Sequence, residues 1–417
     1  MNKKVLHIST SDKGGAATAC LRLHIGMLKS RIDSKMLVLD KHSTSNPNVY
    51  QFWEYKKHKK IGKAFNFFKR HIIPYLNERE LKGKPEEYEI FTLPNSLFDI
   101  TAHPLYKEAD IIHLHFVADF LNWNTFFRRN SKPLVWTLHD MNPFTFGCHY
   151  SAGCKKFYDD CSYCPQLLNT KNDNLSKKIL ELKKFLMNDV NNFKIISPSS
   201  WLKQLAQESQ VFKNKEILKI PHGIDKNIFK SHNREFARGL FGIPENKFVL
   251  LFAPDDFKRK NKGMDFIPDV FSRLSHREDI LLCLVGKNTE AFNFDFGNII
   301  KLGYINDEQM MSLAYSSADL TLVLSREEAF SLTTLESLAC GTPVIAFKST
   351  GPDDIIIHKQ CGWLAENYST DDFSNGILLF IENPELLKKA SEFAEKHIEE
   401  NFSIEKQVES YSKIYNF

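Results

Sequence analysis

At the usual domain size, 417 residues allow about two to four domains, which rules out a single small module. Apolar residues at 42% and charged residues at 25% exclude a disordered or collagen-like chain. Lys and Arg number 55 against 51 Asp and Glu, and a net charge of +4 is too small for a nucleic-acid binder of this length, so no nucleic-acid partner is expected.

The first residues, Met1-Asn2-Lys3-Lys4, lead straight into the strand-like Val5 to Ile8 and not into a signal-peptide core, and no run of 18 apolar residues occurs anywhere. A cytoplasmic protein is expected, with its eight cysteines as thiols or metal ligands and not as a disulfide framework. After the first strand comes Lys13-Gly14-Gly15-Ala16, followed by a helical pattern from Thr18 to Leu28. Paired glycines in a strand-to-helix turn let the backbone approach a ligand, and the helix start offers unpaired N–H groups to an anion, so Gly14 and Gly15 are candidate donor-binding residues. Further strands are predicted at Lys35 to Leu39, Ile111 to His115, Leu134 to Thr137 and Lys194 to Ile196.

From Lys56 to Arg70 there are seven Lys or Arg and no acid, with Ile61, Phe65, Phe67 and Phe68 interleaved. A basic, aromatic amphipathic helix suits an anionic membrane surface; a solvated helix whose aromatics dock on the core fits the same residues. Further along, Cys148, Cys154, Cys161 and Cys164 fall within 17 residues. Four thiolates so close in sequence can close a tetrahedral structural zinc site, while free thiols or disulfides remain open readings. Cys20, Cys283, Cys340 and Cys361 each sit among apolar residues, as buried small hydrophobes do.

Pro221-His222-Gly223-Ile224-Asp225 interrupts the strand-like Ile217 to Ile220 and reads as a hinge. Beyond it the strand pattern resumes at Phe248 to Phe252, Ile280 to Val285, Ile299 to Leu302, Leu320 to Leu324 and Val344 to Ala346. Two α/β sets of similar size predict two Rossmann-like domains, each a parallel sheet covered by helices. The expected division is residues 1–220, carrying the cysteine-rich insert 148–164, then 221–395, then a C-terminal helical segment 396–417 packing back toward the first domain.

In the second half, Glu328-Ala-Phe-Ser-Leu-Thr-Thr-Leu-Glu336 opens a helix ended by Gly341 and Pro343, with Ser331 placed at its N-terminus. Glu328 falls in a strand-to-helix turn at the carboxyl end of a parallel strand, where open α/β folds bind ligands. Glu336 lies about 7.5 Å further along the helix axis than Ser331 at 1.5 Å per residue, a spacing that can bracket a nucleotide diphosphate sugar. The backbone N–H groups of Ser331, Leu332 and Thr333 are positioned to hold a diphosphate.

With these residues the chain resembles glycosyltransferase family 4, retaining nucleotide-sugar-dependent enzymes of the GT-B fold, two facing Rossmann-like domains with a cleft between them. The resemblance spans nearly the whole chain, and its best motif is Glu-x7-Glu, matched by Glu328 and Glu336. Where the family usually has Gly-Phe-Gly after the first Glu, this chain has Ala329-Phe330-Ser331. The resemblance implies that Glu328 contacts the donor sugar near its reacting carbon and that Glu336 binds the ribose hydroxyls. It also matches Lys262-Gly263 to the family's phosphate-binding Lys-Gly, with Arg259 the nearest candidate for the accompanying Arg, and places His139, in Thr137-Leu138-His139, against the donor sugar. The cysteine insert is similar to that of a branch acting in bacterial surface polysaccharide synthesis.

The implied activity is transfer of a hexosyl unit from a nucleotide diphosphate sugar to a glycan or polyprenyl-linked glycan acceptor, with retention. No Asp-x-Asp triplet occurs, so no catalytic metal or other cofactor is expected beyond a structural zinc. Peripheral contact with the inner face of the membrane would run through Lys56 to Arg70. A nucleotide-sugar 2-epimerase on the same fold, and a non-enzymatic membrane-associated glycan-binding scaffold, are the alternatives.

Overall fold

The computed structural model describes residues 3–43, 45, 48–54, 72, 75–77, 81, 91–167, 175–294, 297–348 and 350–416. It divides into two compact units, one of residues 1–221 with 407–417 and the other of residues 222–406. The basic segment Lys56 to Arg70 lies outside the described residues.

The first unit is built on a seven-stranded sheet of β1 (Val5–Ser11), β2 (Ser34–Asp40), β3 (Val49–Gln51), β4 (Ile111–Leu114), β5 (Leu134–Thr137), β6 (Phe193–Ser197) and β7 (Ile217–Lys219). The order is β3-β2-β1-β4-β5-β6-β7, and every pairing is parallel. β4 and β5 are buried at every position, as strands covered on both faces must be. The second unit repeats the plan with β8 (Phe248–Phe252), β9 (Ile280–Val285), β10 (Ile299–Gly303), β11 (Leu320–Val323), β12 (Val344–Phe347) and β13 (Gly362–Ala365), in the order β10-β9-β8-β11-β12-β13. Its two apolar clusters contain alternate residues of one strand, with Val249 and Leu251 in one and Leu250 and Phe252 in the other, so helices cover both faces of the sheet. The strand order therefore reverses between β1 and β4 in one unit and between β8 and β11 in the other, and such switch points leave a crevice at the strands' carboxyl ends.

The C-terminal segment departs from the expected division. Residues 396–406 stay with the second unit, because Ala394, Ile398 and Phe402 belong to its core and Ile224 exchanges backbone hydrogen bonds with Phe402 and Ile404. Only from residue 407 does the helix Ile404–Ile414 join the first unit, where the Tyr411 hydroxyl lies 2.6 Å from Thr137 Oγ1 and the Tyr415 hydroxyl 2.7 Å from His113 Nδ1. Cys20, Cys283, Cys340 and Cys361 are all buried and unbridged.

Candidate functional site

The strongest convergence of predicted residues is at the switch point of the second sheet. Lys262 comes from the loop after β8 and Glu328 from the loop after β11, 66 residues apart in sequence, yet Lys262 Nζ donates to Glu328 Oε1 over 2.7 Å. Their side chains keep only 18% and 13% of their surface. Burial pulls the Lys262 ammonium down in pKa, but the carboxylates of Glu328 and Asp255 more than offset it, so its pKa rises above the usual value and the charge is secure. Arg259 donates to Asp255 Oδ2 over 2.8 Å, and Lys262 stands 3.8 Å from the other oxygen of that carboxylate. Two cations thus share one corner, bridged by Asp255.

Four residues hold this corner in place, and of these the sequence pattern singles out only Gly263. Asn261 zips the two loops together: its amide donates to the Glu327 carbonyl at 2.8 Å, its side-chain oxygen accepts from the Glu327 N–H at 3.2 Å, and its own carbonyl accepts from the Arg326 N–H at 2.8 Å. Gly263 has φ +74°, and a Cβ there would lie 2.0 Å from the Leu324 carbonyl oxygen, so glycine is required both by the turn and by the closeness of the loops. Beneath the second loop, the Gly351 N–H donates to the Glu328 carbonyl at 2.8 Å, and a Cβ on Gly351 would lie 2.5 Å from Phe330 Cα. Arg326 closes the outer side by pairing both guanidinium nitrogens with Asp265 at 2.8 and 2.5 Å while lying over the Phe266 ring.

Ser331 caps the helix Leu332–Ala339 in a left-handed conformation at φ 81°, and its hydroxyl accepts from the Thr334 N–H at 3.3 Å. Leu332 and Thr333 are then the first helical residues, whose N–H groups have no acceptor within the helix and form an anion-binding end. Glu336 sits one turn further on, and its Oε2 accepts from the Tyr315 hydroxyl at 3.0 Å. Burial first, and then the Glu336 charge, raises the Tyr315 pKa well above the ordinary range, which keeps that hydroxyl a donor.

In the first unit, Gly14 and Gly15 follow β1, with Gly14 at φ 102° immediately before the helix Gly15–Lys29 and no atom within 4 Å of a Cβ built on either residue. His139 follows β5 and shares a cavity with His115, Asp140 and His149. Burial lowers the His139 pKa to about 4, with Asp140 opposing, so the ring is neutral. His149 was not singled out from the sequence; it lies 2.7 Å from Asp140 Oδ2 and 2.9 Å from Thr92 Oγ1, which fixes both of its ring nitrogens.

Cys148, Cys154, Cys161 and Cys164 line one small apolar cavity and are all unbridged. Cys161 adopts a left-handed backbone at φ 58°, and burial pushes its thiol up to about 12. Among the described residues, only His7, Cys20 and His115 bring three potential ligand atoms within 4.8 Å of one another, so the four sulfurs stand wider apart than that. Sulfurs about 2.3 Å from a shared zinc would have to draw together around it.

Residues 233–397 match the model of the family described as Glycosyl transferases group 1. Of curated proteins, N-acetyl-alpha-D-glucosaminyl L-malate synthase of Bacillus anthracis is 26% identical over 212 residues, 48% of this chain and 54% of that one. A D-inositol 3-phosphate glycosyltransferase of Arthrobacter is 28% identical over 176 residues, 39% and 41% of the two chains. The chain thus spans about half the length of these curated relatives. Among solved structures, sucrose-phosphate synthase of Thermosynechococcus elongatus superposes with a TM-score of 0.67 at 16% identity, covering 99% of this chain and 98% of that one. Anabaena HepE, solved in complex with UDP and glucose, gives the same score and identity with 99% of each chain covered. No described helix is long and apolar enough to cross a membrane. The chain has the GT-B fold, and residues 233–397 of its second unit are similar to the group 1 glycosyl transferases.

Proposed function

We propose that the chain transfers a hexosyl unit, with retention, from a nucleotide diphosphate sugar to a glycan or polyprenyl-linked glycan acceptor, as resemblance to family 4 and its surface-polysaccharide branch suggests. The observation that carries this reading is the Lys262–Glu328 pair at the second switch point, beside the start of the helix Leu332–Ala339. Negative charge grows on the departing diphosphate as the glycosidic bond breaks. An ammonium has three N–H donors; with one committed to Glu328, Lys262 can offer another to a phosphate oxygen, supported by the Leu332 and Thr333 N–H groups and by Arg259. Glu328 stands where a carboxylate can accept hydrogen bonds from sugar hydroxyls, and Glu336 can do the same for the ribose. No residue here is assigned as a protein nucleophile. The HepE neighbour was solved with UDP, which favours a uridine nucleotide as the first donor to try.

Incubation with a panel of nucleotide sugars, with and without lipid-linked glycan in anionic vesicles, tests the reading. The expected result is nucleoside diphosphate release that depends on acceptor, a new glycoside of unchanged anomeric configuration, and a rate that falls with salt if Lys56 to Arg70 holds the chain at the lipid surface. Conversion of donor alone to an epimerised sugar would point to the epimerase instead, and no nucleotide binding at all would leave only a scaffold.

We also propose that Cys148, Cys154, Cys161 and Cys164 take a structural zinc, supported by four thiols lining one cavity. Metal analysis after gel filtration is expected to find about one zinc per chain, lost in the Cys161→Ser, Cys164→Ser double variant together with several degrees of Tm. Equal metal content in the two proteins would reject the site.

A further inference from the structure

Three imidazoles of the first unit form one hydrogen-bonded file. His7 on β1 places Nδ1 2.9 Å from Nε2 of His115, just past β4. His115 Nδ1 in turn lies 3.0 Å from Nε2 of His139, just past β5. The adjacency of β1, β4 and β5 brings together residues more than a hundred positions apart.

A neutral imidazole has one ring nitrogen that donates and one that accepts, so a file of three has only two proton arrangements, each running its full length. Burial keeps the ends neutral, since it sets the His7 pKa well below normal, helped by His113 and His24, and that of His139 at about 4. What separates the two arrangements is the inner end, where His7 Nε2 is buried without a hydrogen-bond partner. If protons pointed inward along the file, His7 would carry its hydrogen on that nitrogen, an orphaned buried N–H of the kind folded proteins rarely tolerate. With protons pointing outward, only a ring lone pair is left unmatched there. Cys20 Sγ also lies within 4.8 Å of these nitrogens, but 2.9 Å between His7 and His115 suits a hydrogen bond. Two nitrogens on one tetrahedral ion at about 2.0 Å would stand about 3.3 Å apart.

We infer that His7 and His115 are positioning residues that hold His139 as its Nδ1–H tautomer, so that His139 meets an oxygen ligand such as a sugar hydroxyl as a neutral hydrogen-bond donor and not as a base. The sugar half of this statement rests on the proposed glycosyl transfer; the tautomer does not. Long-range proton–nitrogen NMR correlation on the full chain, with ring-15N histidine and His139→Gln for assignment, reads it without any ligand. The expected spectrum shows His139 Nδ1 protonated and Nε2 bare. His7→Asn, whose amide N–H replaces Nδ1–H, should preserve this pattern, whereas His7→Asp, whose carboxylate can only accept from His115 Nε2, should reverse it two residues down the file. In transfer assays His7→Asp should raise the donor KM up to about tenfold, the worth of one hydrogen bond, with His7→Asn close to wild type. A protonated Nε2 at His139 in the wild-type spectrum overturns the inference, as does an unchanged His139 in a folded His7→Asp. If His7→Asp does not fold, the wild-type spectrum alone decides. Absence of transfer with the expected tautomers would count against the functional reading only.

Discussion

Lys262→Ala is expected to lower kcat/KM for transfer by about 10²–10³-fold, the usual cost of removing one preorganised donor from a developing anion. Most of the loss should fall on kcat, because the diphosphate charge that Lys262 meets is larger in the transition state than in the bound donor. Glu328→Gln keeps the shape of the corner but removes the charge that anchors Lys262 at 2.7 Å, and a loss of similar size is expected. Asp255→Asn frees Arg259 but leaves the Lys262–Glu328 anchor, and because that carboxylate is 56% exposed and 3.8 Å from Lys262 a smaller loss is expected. Steady-state kinetics, with circular dichroism to establish folding, would separate these outcomes. Near-normal turnover in either Lys262→Ala or Glu328→Gln would remove the corner from the mechanism.

The largest stability effect is expected at Asp319, just before β11. Its Oδ2 accepts from Arg238 Nη2 at 2.8 Å and from the Val249 N–H at 2.6 Å, its Oδ1 accepts from Arg234, and its own N–H donates to the Val249 carbonyl at 2.8 Å. Arg238, 3% exposed, also donates to the carbonyls of Ser317, Glu245 and Lys247. Asp319→Ala strands this guanidinium in the interior and should cost about 3–5 kcal/mol. For a unit of this size that corresponds to a Tm drop on the order of 10 °C in a thermal melt. Asp319→Asn keeps an acceptor for Val249 and should fall between. A drop of only a degree or two in the alanine variant would show that the cluster contributes little.

Much of the fold could be read from the sequence because buried parallel strands are short continuous apolar runs, as at Ile280–Val285, and eleven such runs were predicted where strands occur. Val49–Gln51 and Gly362–Ala365 went unpredicted: they are edge strands whose sequences, Val-Tyr-Gln and Gly-Trp-Leu-Ala, are cut by a polar residue or open on glycine, so no aliphatic run marks them. The corner residues Lys262, Glu328 and Ser331 were legible because local turn chemistry and family resemblance both mark them. Asn261, Gly351 and the Tyr315–Glu336 bond were not, since each works through contacts 15 or more residues away in sequence that no local pattern encodes. The histidine file was illegible for the same reason, and the C-terminal segment was misdivided because a continuous helical composition conceals the point, near residue 407, where its allegiance changes.

That change of allegiance bears on how the protein is made. A ribosome delivers residues 1–221 well before residues 411–415, yet the buried Thr137 and His113, bonded to each other at 2.7 Å, each take a second partner from the Tyr411 and Tyr415 hydroxyls. The lobe synthesised first is therefore completed last, when the helix Ile404–Ile414 brings it those two hydroxyls.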